Sequence, residues 1–208
     1  LKNLMDRAII SRTEKEAKEH AILQNLDTSF QKIDELPFDF ERRRMSVIVK
    51  DDSNVVSMVT KGALEEMLTI STHVEYRGEI IPITEGIRQE VLAEVGQLNR
   101  QGLRVLGVGY KSGLREDYAY AVTDESDMIL TGYLAFLDPP KPSAAPAIQA
   151  LLEHGVRTKI LTGDNEKVTQ AICEKVGLDV ERMLLGADID QMTDQELEEA
   201  VESVTVFA

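Results

Sequence analysis

The chain has 208 residues, 43% hydrophobic and 29% charged, which is the balance of a soluble protein with one large domain or two smaller ones. Its formal net charge of −14 at pH 7 argues against nucleic acid or an anionic membrane bound through bulk charge, but it does not exclude a local basic pocket. No apolar run approaches the roughly 20 residues of a membrane-spanning helix. The lone Cys173 indicates a reducing, cytosolic compartment rather than a disulfide framework.

The first part of the chain combines amphipathic helices with hairpin signals. A helical pattern is already present at Leu1, which suggests a fragment of a longer protein. An extended segment at 30–36 is expected to end at Pro37. Further strands are predicted at 45–49, 55–60, 103–110 and 128–137, a second hairpin at 73–83 turning at Arg77-Gly78, and helices at 62–70 and 84–101. This pattern predicts an α+β domain, an antiparallel sheet with flanking helices, up to about residue 134.

The pattern changes after a proline-rich joint at 138–142. Helices are predicted at 143–154 and 165–176, strands at 156–161 and 183–185, and a last helix that opens on a Thr193 and Glu196 capping box. Alternating strands and helices indicate an α/β segment with a parallel sheet, although the strands are too few for a complete one.

The strand predicted at 156–161 runs directly into Thr162-Gly163-Asp164 and a helix. A hydroxyl, a glycine and the positive end of a helix dipole suit a phosphate group. The alternative is an ordinary turn in which Asp164 or Asn165 caps the helix.

A second constellation combines aromatic and basic residues. Phe38 and Phe40 precede the run Arg42-Arg43-Arg44, Lys61 closes a predicted strand, and Arg104 begins another. A purine needs a flat apolar platform and its phosphates need cations, so the set suits a nucleotide. Core packing for Phe38, and solvated charges for the arginines and Lys61, are the alternatives.

Other motifs give weaker indications of function. The three histidines lack metal-ligand spacing, so no metal site is predicted from them. Asp188-Ile189-Asp190 follows an apolar run as a phosphoryl-transfer nucleophile does, but it lacks a following glycine-threonine and lies downstream of Thr162 rather than upstream.

Four motifs together carry a family resemblance. They are Phe38-Asp-Phe-Glu-Arg-Arg-Arg-Met-Ser-Val47, Lys61-Gly62-Ala63, Asp138-Pro139-Pro140-Lys141 and Thr162-Gly163-Asp164. Their order and spacing resemble the P-type cation-transporting ATPases, and the first is most similar to the bacterial magnesium-importing branch. The resemblance implies a nucleotide-binding domain at 1–134 and an incomplete phosphorylation domain of haloacid-dehalogenase-like fold at 135–208.

The resemblance also implies roles for individual residues. Phe38 is expected to stack on adenine, Lys61 to line the adenine pocket, and Gly62 to let the base approach. Arg43 and Arg104 are expected to reach the phosphates. The acid that contacts the adenine amino group in the family is expected at or before the start of the chain.

At the other end of the nucleotide, Thr162 and Gly163 are expected to hold the transferred phosphoryl group, with Asp164 orienting it. Asp138 is expected at the hinge between the domains. Among departures, the family's phosphorylated aspartate and its magnesium-binding aspartates are absent from the sequence, and Lys141 replaces an arginine. The chain is therefore expected to bind ATP or ADP without turnover, with Mg²⁺ held mostly by residues outside it.

The parent protein is expected to be an ATP-driven magnesium transporter at the bacterial inner membrane. The remaining phosphorylation, actuator and transmembrane domains would be partners of this chain, and no nucleic acid would be. Two alternatives are a free-standing haloacid-dehalogenase-like phosphatase and a non-catalytic interaction module. The second would show no nucleotide-dependent shift in melting temperature.

Overall fold

The computed structural model describes residues 4–16, 26–137 and 139–208. The elements of the first part are α1 (Leu4–Glu16), α2 (Leu26–Ser29), β1 (Phe30–Asp39), β2 (Arg44–Asp51), β3 (Val56–Ala63), α3 (Leu64–Ile70), β4 (Ser71–Tyr76), β5 (Glu79–Pro82), α4 (Glu85–Arg100), β6 (Leu103–Ser112), a 3-10 turn (Val122–Asp124) and β7 (Met128–Leu137). They are followed by α5 (Ala144–Glu153), β8 (Ile160–Leu161), α6 (Glu166–Lys175), β9 (Met183–Leu184), α7 (Gly186–Ile189), α8 (Asp194–Ser203) and β10 (Val206–Phe207). Among the described residues, no helix is both long and apolar enough to cross a bilayer.

The chain divides into two compact units. The first comprises Leu1–Gln89 and Leu106–Leu134, and the second comprises Glu90–Val105 and Ala135–Ala208. Part of α4 and the start of β6 thus cluster with the second unit, whereas the sequence placed them in the first domain. The assignment of domains to 1–134 and 135–208 stays a prediction.

Among the described residues, the larger sheet has seven strands in the order β1-β2-β3-β6-β7-β4-β5. The pairs β1–β2, β2–β3, β3–β6 and β4–β5 are antiparallel, but β4 pairs with β7 in parallel. The prediction of a wholly antiparallel sheet is therefore wrong at this pair. Between β4 and β7 the chain passes through α4 and β6, which supply the long crossover that parallel strands need.

Strand β1 does not end at Pro37 as the sequence predicted. It continues to Asp39, with a register irregularity between Leu36 and Asp39. Strand β1 lies at the edge of the sheet and, within the described part of the chain, pairs on one side only. An edge strand tolerates a proline because the missing N–H can lie on the side without a partner strand.

Side chains alternate between the two faces of the central strands. On one face Ile48 of β2 pairs with Met58 of β3, and both are fully buried. They belong to a core cluster formed by Leu36, Ile48, Val56, Met58 and Met128. On the opposite face Val47 pairs with Val59, which is 40% exposed. One face of the central strands therefore carries the core, and the other is partly exposed.

The second unit contains a parallel sheet in the order β8-β10-β9. The strand predicted at 156–161 is shortened to Ile160–Leu161, since β10 offers only two residues as a partner. The capping box of α8 is confirmed: Thr193 Oγ1 accepts from the Glu196 N–H at 3.3 Å, and the Glu196 carboxylate accepts from the Thr193 N–H at 2.8 Å. Asp188-Ile189 lies in α7, not on a strand end.

Candidate functional site

A cavity of about 450 Å³ lies on the face of the larger sheet that is turned away from the core. Strands β2, β3, β6 and β7 line it together with α1. Its lining residues are Asp6, Ile9, Ile10, Met45, Val47, Val59, Lys61, Leu106, Val108 and Leu134. The cavity is thus an apolar slot with two charged side chains, the composition typical of small-molecule sites.

The two charged side chains, Asp6 of α1 and Lys61 of β3, form an ion pair. Their side chains are 26% and 29% exposed, so both remain accessible from the slot. A carboxylate and an ammonium side by side can accept from and donate to the edge of a flat heterocycle. Lys61 therefore lines a cavity, and its predicted role toward adenine stays a prediction.

Asp6 lines the slot, although the sequence did not single it out. The resemblance placed the family's acid at or before the start of the chain. A signal was present. Asp6, Ile9 and Ile10 are three and four positions apart, so a helix presents them on one face. One acid on an otherwise apolar helix face indicates a polar contact inside a pocket.

Phe38 lies at the end of β1, with its side chain half exposed. Its ring meets that of Phe40 edge-on, with centroids 5.2 Å apart and an interplanar angle of 86°. This exposure excludes the alternative that Phe38 is a core residue. It is not among the residues that line the cavity, but the register brings it to the same end of the strands as Lys61, because Asp39 pairs with Arg44 and Arg44 with Gly62.

The three consecutive arginines have different partners. Arg42 Nη1 and Arg44 Nε donate to the Glu125 carboxylate at 2.6 and 2.8 Å, and the Glu125 side chain is fully buried. Arg43 instead meets Glu66 at 2.6 Å and keeps a 54% exposed side chain. Arg43, the one chosen from the sequence to reach a phosphate, is therefore the most exposed of the three.

Two opposing influences act on the pKa of Glu125. Burial acts to raise it, but hydrogen bonds from Ser46, Arg42 and Arg44 outweigh burial and hold the pKa below its ordinary value. The carboxylate is thus charged at neutral pH and gives Arg42 and Arg44 a fixed partner, which keeps both guanidinium groups away from solvent.

Gly62 has a steric reason to be glycine. A Cβ at this position would lie 2.5 Å from Arg44 Cβ and 2.8 Å from the Arg43 carbonyl oxygen. The adjacent Ala63 N–H donates to that same carbonyl at 3.0 Å. The close approach of β2 therefore requires a glycine, and the role of Gly62 toward a base stays a prediction.

In the second unit, Arg104 donates to the Asp164 carboxylate at 2.5 Å. Thr162 follows β8 directly, and its Oγ1 accepts from the Asp164 N–H at 3.1 Å. Asn165 caps α6, because its side chain accepts from the Lys167 N–H, so capping by Asn165 is confirmed. Gly163 is exposed, and a Cβ there would meet nothing within 4 Å, which leaves open space around the backbone.

Asp138, predicted at the hinge, lies outside the described residues. Within the part of the chain that the structure describes, no cluster of three His, Cys, Asp or Glu side chains could hold a metal ion.

Comparison with known families tests the resemblance found in the motifs. The model of the family described as "P-type ATPase, cytoplasmic domain N" matches residues 2–143, more than half of the chain. The chain belongs to the P-type ATPase family. The family assignment drawn from the four motifs is therefore confirmed.

Individual P-type ATPases match over most or all of the chain. "Magnesium-transporting ATPase, P-type 1" of Salmonella typhimurium strain LT2 is 46% identical over 208 residues, which cover 100% of this chain and 22% of that protein. The protein of the same name from Escherichia coli K12 is 44% identical and is covered to 23%. "Calcium-transporting ATPase 1" of Bacillus cereus is 31% identical over 189 residues, 88% of this chain. The chain spans about a fifth of the length of these P-type ATPases.

Proposed function

We propose that this chain is the ATP-binding part of a P-type ATPase that drives magnesium transport. The observation that carries the proposal is the apolar slot with Lys61 and Asp6 on its wall and the exposed ring of Phe38 at the same strand ends. The names of the relatives from Salmonella and Escherichia support magnesium as the transported ion.

In this proposal, adenine enters the slot and displaces water from apolar side chains such as Met45, Val47 and Leu106. The Asp6 carboxylate accepts from the exocyclic amino group, and the Lys61 ammonium donates to a ring nitrogen. Phe38 stacks on the base. These contacts are to the base alone, so they act equally on ATP, ADP and adenosine.

In the same proposal, the phosphates bind basic side chains. Arg43 releases Glu66 and binds a phosphate. Arg104 releases Asp164 and likewise binds a phosphate. Thr162 and Gly163 then hold the transferred phosphoryl group, with Asp164 orienting it. The acceptor aspartate of the family is missing from the sequence, so this chain alone binds ATP without turnover.

The parent protein supplies the parts of the catalytic machinery that this chain lacks. Mg²⁺ arrives with the nucleotide and is held mostly by residues of the parent protein, where residues 135–208 form part of a haloacid-dehalogenase-like phosphorylation domain. The remaining phosphorylation, actuator and transmembrane domains are the partners, at the cytosolic face of a bacterial inner membrane. A free-standing phosphatase is disfavoured, because Asp188 lies in α7 and not at the end of a strand.

Two substitutions test which end of the nucleotide each cation meets. We expect Lys61→Ala to weaken ATP, ADP and adenosine by a similar factor of about tenfold, since a hydrogen bond to a charged group is worth about 1.5 kcal/mol or more. Arg104→Ala should weaken ATP more than adenosine, and its effect should shrink at high salt because its target is charged. Isothermal titration calorimetry with the three ligands measures both.

Lys50→Ala is the matched control, because Lys50 lies on β2 and pairs with an exposed Glu116. It should leave all three affinities unchanged. A Lys61→Ala chain that binds adenosine normally, alongside an Arg104→Ala chain that does not, would reverse the proposed orientation of the nucleotide.

A further inference from the structure

A buried charged cluster lies on the core side of the larger sheet, behind the segment that carries Phe38. Its centre is the Glu125 carboxylate, whose side chain is fully buried, whereas the side chains of Arg42 and Arg44 are 18% and 13% exposed. Ser46 Oγ donates to Glu125 Oε1 at 2.7 Å and also lies 2.8 Å from Thr60 Oγ1. The carboxylate thus has hydrogen bonds at both of its oxygens.

Glu125 is itself held in place by its neighbours. Lys111 of β6 donates to the carbonyl oxygens of Asp124 and Ser126, which flank Glu125 in sequence. The Asp124 carboxylate accepts from the Ala121 N–H at 2.8 Å. The carboxylate of Glu125 is therefore a fixed point tied to the middle of the sheet.

Arg42 connects this fixed point to the backbone next to Phe38. Its Nη1 donates to Glu125 at 2.6 Å and its Nη2 donates to the carbonyl oxygen of Pro37 at 2.8 Å. A guanidinium group is a rigid planar fork, so the two bonds fix the distance between the groups they join. Pro37 immediately precedes Phe38, so the position of the Glu125 carboxylate determines where the peptide before Phe38 lies.

The strand ladder is irregular around this peptide. The pairing of β1 with β2 shifts between Leu36 and Asp39, and Pro37 has no N–H to donate. On the other side of Phe38, the Asp39 carboxylate accepts from the N–H groups of Glu41 and Arg42 at 2.8 and 2.9 Å. The Arg42 side chain thus restrains the Pro37 carbonyl from Glu125, at a point where the ladder is irregular.

We propose that Glu125 is a positioning residue for nucleotide binding, which acts through Arg42 and the Pro37 carbonyl to orient Phe38 against the base. The inference rests on the proposed function. Glu125 touches no nucleotide in this account, so its effect on affinity depends entirely on Phe38. A residue that only stabilises the fold has no such dependence.

The test is a double-mutant cycle with Glu125→Gln and Phe38→Ala, in which adenosine affinity is measured by calorimetry. We expect Glu125→Gln to weaken adenosine about fivefold or more, and no more than Phe38→Ala does, because stacking is all that a misplaced ring can lose. In the Phe38→Ala background, Glu125→Gln should add less than about twofold. Glu116→Gln, which removes an exposed acid, should change nothing in either background.

Equal losses from Glu125→Gln in both backgrounds, or no loss at all, would overturn the inference. If Glu125→Gln does not fold, as judged by its amide spectrum, Arg42→Lys replaces it in the same cycle with the same criteria. Lysine keeps the charge beside Glu125 but lacks the rigid planar fork that joins Glu125 to the Pro37 carbonyl. A wild-type chain that binds neither adenosine nor ATP contradicts the proposed function itself, whereas a wild-type chain that binds and an additive cycle contradict only the inference.

Discussion

Glu125→Ala is expected to lower the free energy of unfolding by about 3–5 kcal/mol, the range for removing one partner of a buried ion pair. The substitution leaves the guanidinium groups of Arg42 and Arg44 mostly buried without their shared carboxylate. It also removes the carboxylate that accepts from the hydroxyl of the fully buried Ser46. Urea denaturation followed by circular dichroism measures the loss.

Glu116→Ala is the matched control, since its ion pair with Lys50 has one side chain 55% exposed and should contribute about 0–1 kcal/mol. The pH dependence gives a second check. The folded-state pKa of Glu125 is held below its ordinary value of 4.5, so its contribution is fully present above pH 4.5 and is lost as the pH falls through the lowered value. The difference between wild type and Glu125→Ala should shrink in that acid range. A loss below about 1 kcal/mol at pH 7 would mean that the cluster does not stabilise the fold.

Gly62→Ala is expected to lower the free energy of unfolding by about 3 kcal/mol, the upper end of the usual cost of overpacking. The added Cβ would meet Arg44 Cβ at 2.5 Å and the Arg43 carbonyl oxygen at 2.8 Å, and backbone atoms cannot move aside as a flexible side chain can. These close contacts can be relieved only if β2 and β3 move apart, next to the pair formed by Met45 and Lys61. Nucleotide affinity should therefore fall as well, which the same calorimetry would show.

Gly86→Ala provides the comparison, because a Cβ there lies 3.8 Å from the Thr84 hydroxyl, an ordinary contact, and the residue is helical. That change should be neutral or stabilising by about 0.5–1 kcal/mol. Equal stability of Gly62→Ala and wild type would show that the two strands can separate freely at this point.

Local patterns in the sequence were sufficient for the hairpins and most helices. The second hairpin was predicted to turn at Arg77-Gly78, and both residues have positive φ in the structure, at 54° and 81°. Alternation and glycine position are properties of neighbouring residues, so they are readable without any tertiary information. The parallel pairing of β4 with β7 is not, because it depends on the path of the chain through α4 and β6.

The candidate site was predictable to the extent that its residues lie in recognisable motifs. Lys61 and Arg43 stand in such motifs, and the structure leaves both partly exposed. Glu125 has no local signal, because its partners Arg42 and Arg44 are distant in sequence, and a buried acid looks like a surface acid in a sequence. Asp6 stands in none of the four motifs, so only the helical spacing it shares with Ile9 and Ile10 connects it to the slot.

The central claim is that the slot beneath α1 binds the base of ATP. A backbone amide NMR titration of the wild-type chain with ATP and ADP tests it most directly. We predict saturable shifts at Phe38, Lys61 and Gly62 that are alike for the two nucleotides, with differences between them confined to residues near the phosphates, such as Arg43 and Gly163. An absence of saturable shifts, or shifts that leave Lys61 and Gly62 untouched, would contradict the account.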